Sequence, residues 1–176
     1  MTNLQTVNCT LERHGSQILA ILNEAIENST ALYDYNPRSS ENMVAWFNTK
    51  TAGNFPVIGL EDGSGKLVGF ASFGTFRAWP AYKYTAEHSI YVHKDFRGLG
   101  LGNTLLGKII EAAKDSDLHS LIGGIDANNA GSIYLHEKFG FKHVGTIPQV
   151  GFKFNKWLDL AFYQLIFETP NNPIDG

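Results

Sequence analysis

The sequence predicts an α+β fold, with one mostly antiparallel central sheet and helices on both faces. Three observations lead there. Apolar residues recur at helical spacing in some segments and in short strand-like runs in others, without the regular strand–helix alternation of a parallel sheet. A glycine-rich stretch, "VHKDFRGLGLGNT", joins a strand-like run to an apolar helix. The chain has 176 residues, 43% hydrophobic and 18% charged, which is enough for one domain with a real core.

The elements follow in order. "LQTVNCT" reads as a short strand. "SQILAILNEAIEN" places Ile18, Ile21, Leu22, Ala25 and Ile26 on one helical face. "NSTALYDYNPRS" is a polar and aromatic loop, and "SENMVAWFNTK" a second helix with Ser40 as its cap. "FPVIGLEDGSGKLVGFASFGTF" gives two strands about the turn Asp62-Gly63-Ser64-Gly65, and "YTAEHSIYV" another. After the glycine loop, Leu101, Leu105, Leu106, Ile109, Ile110 and Ala113 form a helical stripe. "SLIGGID" is a buried strand, and "NAGSIYLHEKFG" a short helix ended by Gly140. "FKHVGTI" and "FKFNKWLDLAFYQLIFE" are strands. Residues 1–168 then make a single domain, and "TPNNPIDG", 169–176, a flexible tail.

Bulk properties narrow the function. A net charge of −3 gives no support to bulk nucleic-acid binding. Cys9 is the only cysteine, which excludes an internal disulfide and suits a reducing compartment. No signal-peptide core or membrane-length apolar run is present, so a soluble, cytoplasmic protein is expected. The histidines are scattered, with no H-E-x-x-H or Cys/His cluster, so no metal is expected.

The glycine loop carries the first chemical signal. A helix N-terminus presents unpaired N–H groups and a partial positive charge, and glycines let backbone close around an anion. Arg97 adds a charged fork. A P-loop needs Lys and Ser/Thr after its last glycine, but Asn103 and Thr104 follow Gly102. A dinucleotide fingerprint fails too, because the third glycine comes one position early. R-x-x-G-x-G is met by Arg97, Gly100 and Gly102.

The second signal is Glu87. Strand alternation sets Glu87, Ser89 and Tyr91 on one face and Ala86, His88 and Ile90 on the other. A carboxylate in an apolar strand is costly unless it is paired or faces water, and partial burial raises its pKa towards a useful base. A surface glutamate on a half-exposed strand is the plainer alternative.

"SIYVHKDFRGLGLGNTLLGKIIEAA" resembles the acetyl-CoA motif of the GNAT N-acetyltransferases, and "NAGSIYLHEKFGF" resembles their next motif, a helix closed by Gly-Phe. "YKYTAEHSIYV", "GFKFNKWLDLAFYQL" and "NSTALYDYNPRS" resemble the phosphinothricin/methionine sulfoximine acetyltransferase branch. The resemblance implies a splayed GNAT-like sheet and acetyl-CoA as co-substrate. Backbone N–H groups of Gly98, Leu99, Gly100, Leu101, Gly102, Asn103 and Thr104, with Arg97, would hold the pyrophosphate. Ile90, Tyr91 and Val92 would pair with the pantetheine arm, in the manner of strand addition. Asn129 stands where the family often has a CoA contact, and is equally placed to cap the following helix.

The resemblance also implies the chemistry. Glu87 is the expected base, directly or through one water. His136 stands where many relatives carry a tyrosine acid; it can donate near neutrality, or lie there without chemistry. Arg77 is placed to fork a substrate carboxylate, with Tyr82, Tyr84 and Trp79 as aromatic walls, and Tyr33 and Asn28 as further substrate candidates; ordinary surface and packing roles stay open for all of them. The expected reaction is acetyl transfer to the α-amine of a small amino-acid-like substrate in a ternary complex, by a homodimer. A peptide N-terminus or polyamine acceptor, or a non-catalytic acyl-CoA module, are the alternatives.

Overall fold

The computed structural model describes residues 4–175. Its elements are β1 (Gln5–Asn8), α1 (Leu11–Asn28), α2 (Ser40–Ala52), β2 (Val57–Glu61), β3 (Leu67–Thr75), β4 (Thr85–Val92), α3 (Leu101–Asp115), β5 (Ser120–Asp126), α4 (Ala130–Lys138), β6 (Lys142–Lys153) and β7 (Lys156–Ile166). The strands form a seven-stranded sheet in the order β1-β2-β3-β4-β5-β7-β6. The pairs β1–β2, β2–β3, β5–β7 and β6–β7 are antiparallel, and β4–β5 is parallel. This is the expected α+β class with a mostly antiparallel sheet. The β4–β5 register runs from Thr85–Ser120 to Glu87–Ile122, the first three residues of an eight-residue strand.

The chain divides into two compact units, Met1–Ser72 with Ile90–Leu105, and Phe73–Ser89 with Leu106–Gly176. In the first, the apolar stripe of α1 packs as its spacing requires: Ile18, Ile21 and Leu22 cluster with Met43 and Phe47 of α2 and with Val57, Leu67 and Phe70. Trp46 meets Phe70 edge-on at 6.2 Å, and Tyr91 lies tilted on it at 5.4 Å. α1 starts earlier than periodicity suggests, because Thr10 accepts a hydrogen bond from the Arg13 N–H and caps it. Ser39, not Ser40, caps α2: the Asn42 N–H donates to Ser39 Oγ and the Ser39 N–H donates to Asn42 Oδ1. That reciprocal pair is a capping box built on asparagine, which hides it from a search for Glu or Gln.

In the second unit, β5 pairs with β7 from Ser120–Ile166 to Asp126–Leu160. "FKFNKWLDLAFYQLIFE" is not one strand. Phe154 and Asn155 take positive φ, 50° and 59°, and turn the chain, so Phe152 and Lys153 belong to β6 and β7 begins at Lys156. Residues of the C-terminal segment make contacts of their own. Thr169 Oγ1 donates to the Leu118 carbonyl (2.5 Å), and the Ile174 N–H donates to Tyr84 Oη (3.1 Å).

Two imidazoles stack inside this unit. His88 and His136 lie 5.0 Å apart between ring centres, with Phe141 against both. Gly123 makes the room: a Cβ there would stand 3.1 Å from both rings. His136 Nδ1 is 2.6 Å from the Ser132 carbonyl, which can only accept, so Nδ1 carries the proton. Burial pushes the His136 pKa down, so the ring is neutral and its Nε2 is a lone pair. His88 Nε2, 3.2 Å away, therefore donates to it. That leaves His88 Nδ1 as an acceptor, and among the described residues this buried atom has no partner.

Two outcomes follow from this packing. Phe70 is fully buried, so Phe70→Ala should cost about 3–5 kcal/mol in urea unfolding. Burial pushes His88 down to about 3, while an unfolded histidine titrates near 6.5. Between those values the unfolded chain binds a proton that the native ring refuses, so stability falls as pH drops from about 6.5 towards 3. In unfolding curves across that range, His88→Gln should flatten the slope by up to about 1.4 kcal/mol per pH unit.

Candidate active site

The glycine loop lies in the first unit and grows out of β4. At the strand end the His93 N–H donates to the Val68 carbonyl at 2.9 Å. Gly69 allows this approach: a Cβ there would lie 3.0 Å from the Tyr91 carbonyl oxygen and 3.4 Å from Val92 Cα. Ile90, Tyr91 and Val92 are half-buried. Gly98 and Gly100 take φ of +77° and +78°, where other residues are strained, and nothing lies within 4 Å of a Cβ built on either. The loop is thus an open backbone cradle, and it fits a phosphate. Leu101 is buried and starts α3, and Leu105, one turn on, is fully buried and anchors the start of the helix. Gly102 and Thr104 lie in the first turn. Asn103 turns inward, donating both its backbone N–H (3.0 Å) and its Nδ2 (3.3 Å) to the Gly100 carbonyl. Leu99 points out, 66% exposed.

Arg97 is tied down more than its motif suggests. Its Nε donates to the Val92 carbonyl at 3.3 Å. Its Nη1 and Nη2 donate to the two carboxylate oxygens of Glu24 on α1. Of five guanidinium N–H groups, three are engaged and two are left for an anion. Glu24 carried no sequence signal beyond its place on the polar side of α1.

Glu87 lies in the second unit, at the third residue of β4. It is half-buried on a strand whose next residue, His88, faces the opposite way into the imidazole stack. Loss of water pushes the Glu87 carboxyl above the usual carboxylate range, and the positive charge of Arg77 pulls it partly back. Arg77 is exposed, donates from Nη1 to the Phe76 carbonyl at 2.9 Å, and lies over the Phe76 ring at 4.4 Å. Tyr82 meets the same ring edge-on at 5.8 Å. An open pocket of about 310 Å³, lined by Phe76, Ile122, Val144, Thr146, Ile147 and Phe162, adjoins this group. Sequence reading missed that pocket, because its wall comes from four separate segments.

The remaining candidates are placed as follows. Asn129 Oδ1 accepts the Ser132 N–H at 3.1 Å and caps α4. Tyr33 is half-buried in the first unit, whereas Arg77, Tyr82 and Glu87 belong to the second. His136 is buried in the imidazole stack, with Nδ1 donating to the Ser132 carbonyl and Nε2 accepting from His88. Among the described residues there is no group of His, Cys, Asp or Glu able to hold a metal ion, and no helix long and apolar enough to cross a membrane.

Known proteins fit this arrangement. The sequence profile of the Acetyltransferase (GNAT) family matches residues 20–141. The chain is 44% identical to an L-methionine sulfoximine/L-methionine sulfone acetyltransferase of Pseudomonas aeruginosa, over 84% of this chain and 86% of that one. It is 38% identical to the L-amino acid N-acyltransferase MnaT of Escherichia coli, over 89% and 90%. The crystal structure of a phosphinothricin acetyltransferase from Sinorhizobium meliloti in complex with acetyl-CoA superposes with a TM-score of 0.91 at 30% identity, covering 98% of this chain and 93% of that one. With an open glycine cradle at the head of α3 and these relatives along nearly its whole length, the chain belongs to the GNAT acetyltransferase family and is an acetyl-CoA-dependent N-acetyltransferase.

Proposed function

We propose that the enzyme acetylates the α-amine of a small amino-acid-like substrate of the methionine sulfoximine or phosphinothricin type, with Glu87 as general base. The observation that carries this is that Glu87 and Arg77 share one unit: a carboxylate kept short of water that feels the charge of an exposed guanidinium without being bound to it. An α-amino acid offers the complement. Its ammonium meets Glu87 and its carboxylate meets the Arg77 fork, with Tyr82 as a wall. Relatives named for methionine sulfoximine, methionine sulfone and L-amino acids support the acceptor class.

Glu87 takes one proton from the ammonium, directly or through a water, and frees the lone pair that attacks the acetyl carbonyl. The new C–N bond forms as the C–S bond breaks; the attacking nitrogen gives up its second proton to the departing thiolate, and the neutral amide and coenzyme A are left. His136 supplies no proton in this scheme and acts through packing. The free backbone N–H groups of the Gly98–Thr104 loop, with the two spare N–H groups of Arg97, hold the pyrophosphate; the backbone of Ile90–Val92 aligns the pantetheine arm. Attack is direct rather than through an acetyl-enzyme. Burial pushes the Cys9 thiol, the only one in the chain, up to about 12, which makes it a poor nucleophile.

The working form in this reading is a cytoplasmic homodimer. Val144, Ile147, Val150, Phe152, Phe154 and Trp157 on the β6–β7 hairpin are each at least 42% exposed, an apolar surface suited to a second copy.

Glu87→Gln should lower kcat by about 100-fold or more, with the KM for acetyl-CoA little changed, in a thiol-release assay with methionine sulfoximine. Because the working form is the carboxylate, wild-type kcat/KM should fall on the acid side at a pH above the ordinary glutamate value of about 4.3, and the variant should lack that limb. Equal activity of the two proteins removes Glu87 as the base. Trp157→Glu should shift sedimentation from dimer to monomer without loss of secondary structure.

A further inference from the structure

We infer that Gly124 is a positioning residue of the active site: its missing side chain keeps one oxygen of Glu87 open to the acceptor amine and joins that point to the apolar pocket. The inference rests on the reading of Glu87 as base. β5 is buried at every position except Gly124. A Cβ on Gly124 would lie 2.9 Å from Glu87 Oε1, 3.5 Å from Leu160 Cδ1 and 3.8 Å from Phe162 Cε1. The vacant volume therefore touches the carboxylate on one side and the Phe162 ring on the other. Ile122 pairs with Glu87, Phe162 pairs with Gly124, and both Ile122 and Phe162 line the pocket. On a strand, Ile122 and Gly124 share a face. The opening by Glu87 thus lies on the same face of the sheet as two of the side chains that line the pocket.

Backbone conformation does not demand this glycine, since Gly124 is absent from the positive-φ positions. Nor does core packing, since it is exposed. Gly123 is the contrast: it faces the other way and makes room for the buried imidazoles. The two neighbouring glycines serve different ends, one the interior and one the chemistry. An acceptor amine entering over Gly124 reaches Oε1 with its uncharged stem directed to Phe162 and Ile122. A methyl group at this position fills the approach and pushes the far end of a flexible glutamate, a movement the fold absorbs easily.

The test compares Gly124→Ala, Gly123→Ala and Glu87→Gln, using methionine sulfoximine and methionine sulfone as acceptors. Gly124→Ala should keep its unfolding midpoint and its KM for acetyl-CoA, lose at least tenfold in kcat, and show an upward shift of the Glu87 carboxyl titration followed by carbon NMR. The upward sign follows because the methyl replaces water on the open side of the carboxyl. Gly123→Ala should lose stability and leave the Glu87 titration in place. If Gly124→Ala matches wild type in kcat and in the Glu87 titration while Glu87→Gln is inactive, the role of Gly124 is overturned and the base stands. If Glu87→Gln is fully active, the base reading falls, and the role of Gly124 falls with it.

Discussion

A half-buried carboxylate, set between the buried Ala86 and His88 of β4, is the constraint on which the second unit turns. Glu87 cannot be fully buried, because an ion without a partner in a low-dielectric interior is costly. Nor can it be fully exposed and still differ from any surface glutamate. The structure resolves this with neighbours on each side. Arg77 supplies distant positive charge without a hydrogen bond that would fix the carboxylate as an ion pair. Gly124 sets no side chain against one of its oxygens. The alternation of β4 then sends His88 into the interior, so one strand places a carboxylate on one face and a packing group on the other.

Much of this was legible in the sequence, for reasons that depend on local chemistry. Helical spacing found the buried stripes of α1 and α3 because burial acts on every third or fourth residue. The glycine cradle was legible because positive φ at Gly98 and Gly100 needs glycine. Alternation placed Glu87 and His88 on opposite faces. What escaped was set by partners far along the chain. The Asn42 half of the capping box looks like any polar residue, and the turn at Phe154–Asn155 carries no glycine. The His88–His136 stack joins residues on β4 and α4, and nothing near His136 announces that its Nε2 accepts.

The two histidines also show how a motif position can change its work. A residue in the place of a proton donor is here held neutral by burial, with its proton on a helix carbonyl. An unassisted leaving group is reasonable for this chemistry, because a thiolate is a far better leaving group than an amine or alkoxide. The demand on the protein then falls on removal of the ammonium proton.

The bond between Arg97 and Glu24 bears on how the enzyme meets its co-substrate. A free arginine beside the glycine cradle would carry a net charge felt over about one Debye length. Paired with Glu24, that charge is cancelled at a distance, and what is left is a set of N–H dipoles effective only at contact. In the binding mode proposed above, capture of the pyrophosphate is then a matter of fit more than of long-range attraction, and the rate of encounter should respond weakly to ionic strength. A loop so arranged trades electrostatic steering for selection of the phosphate that fits it.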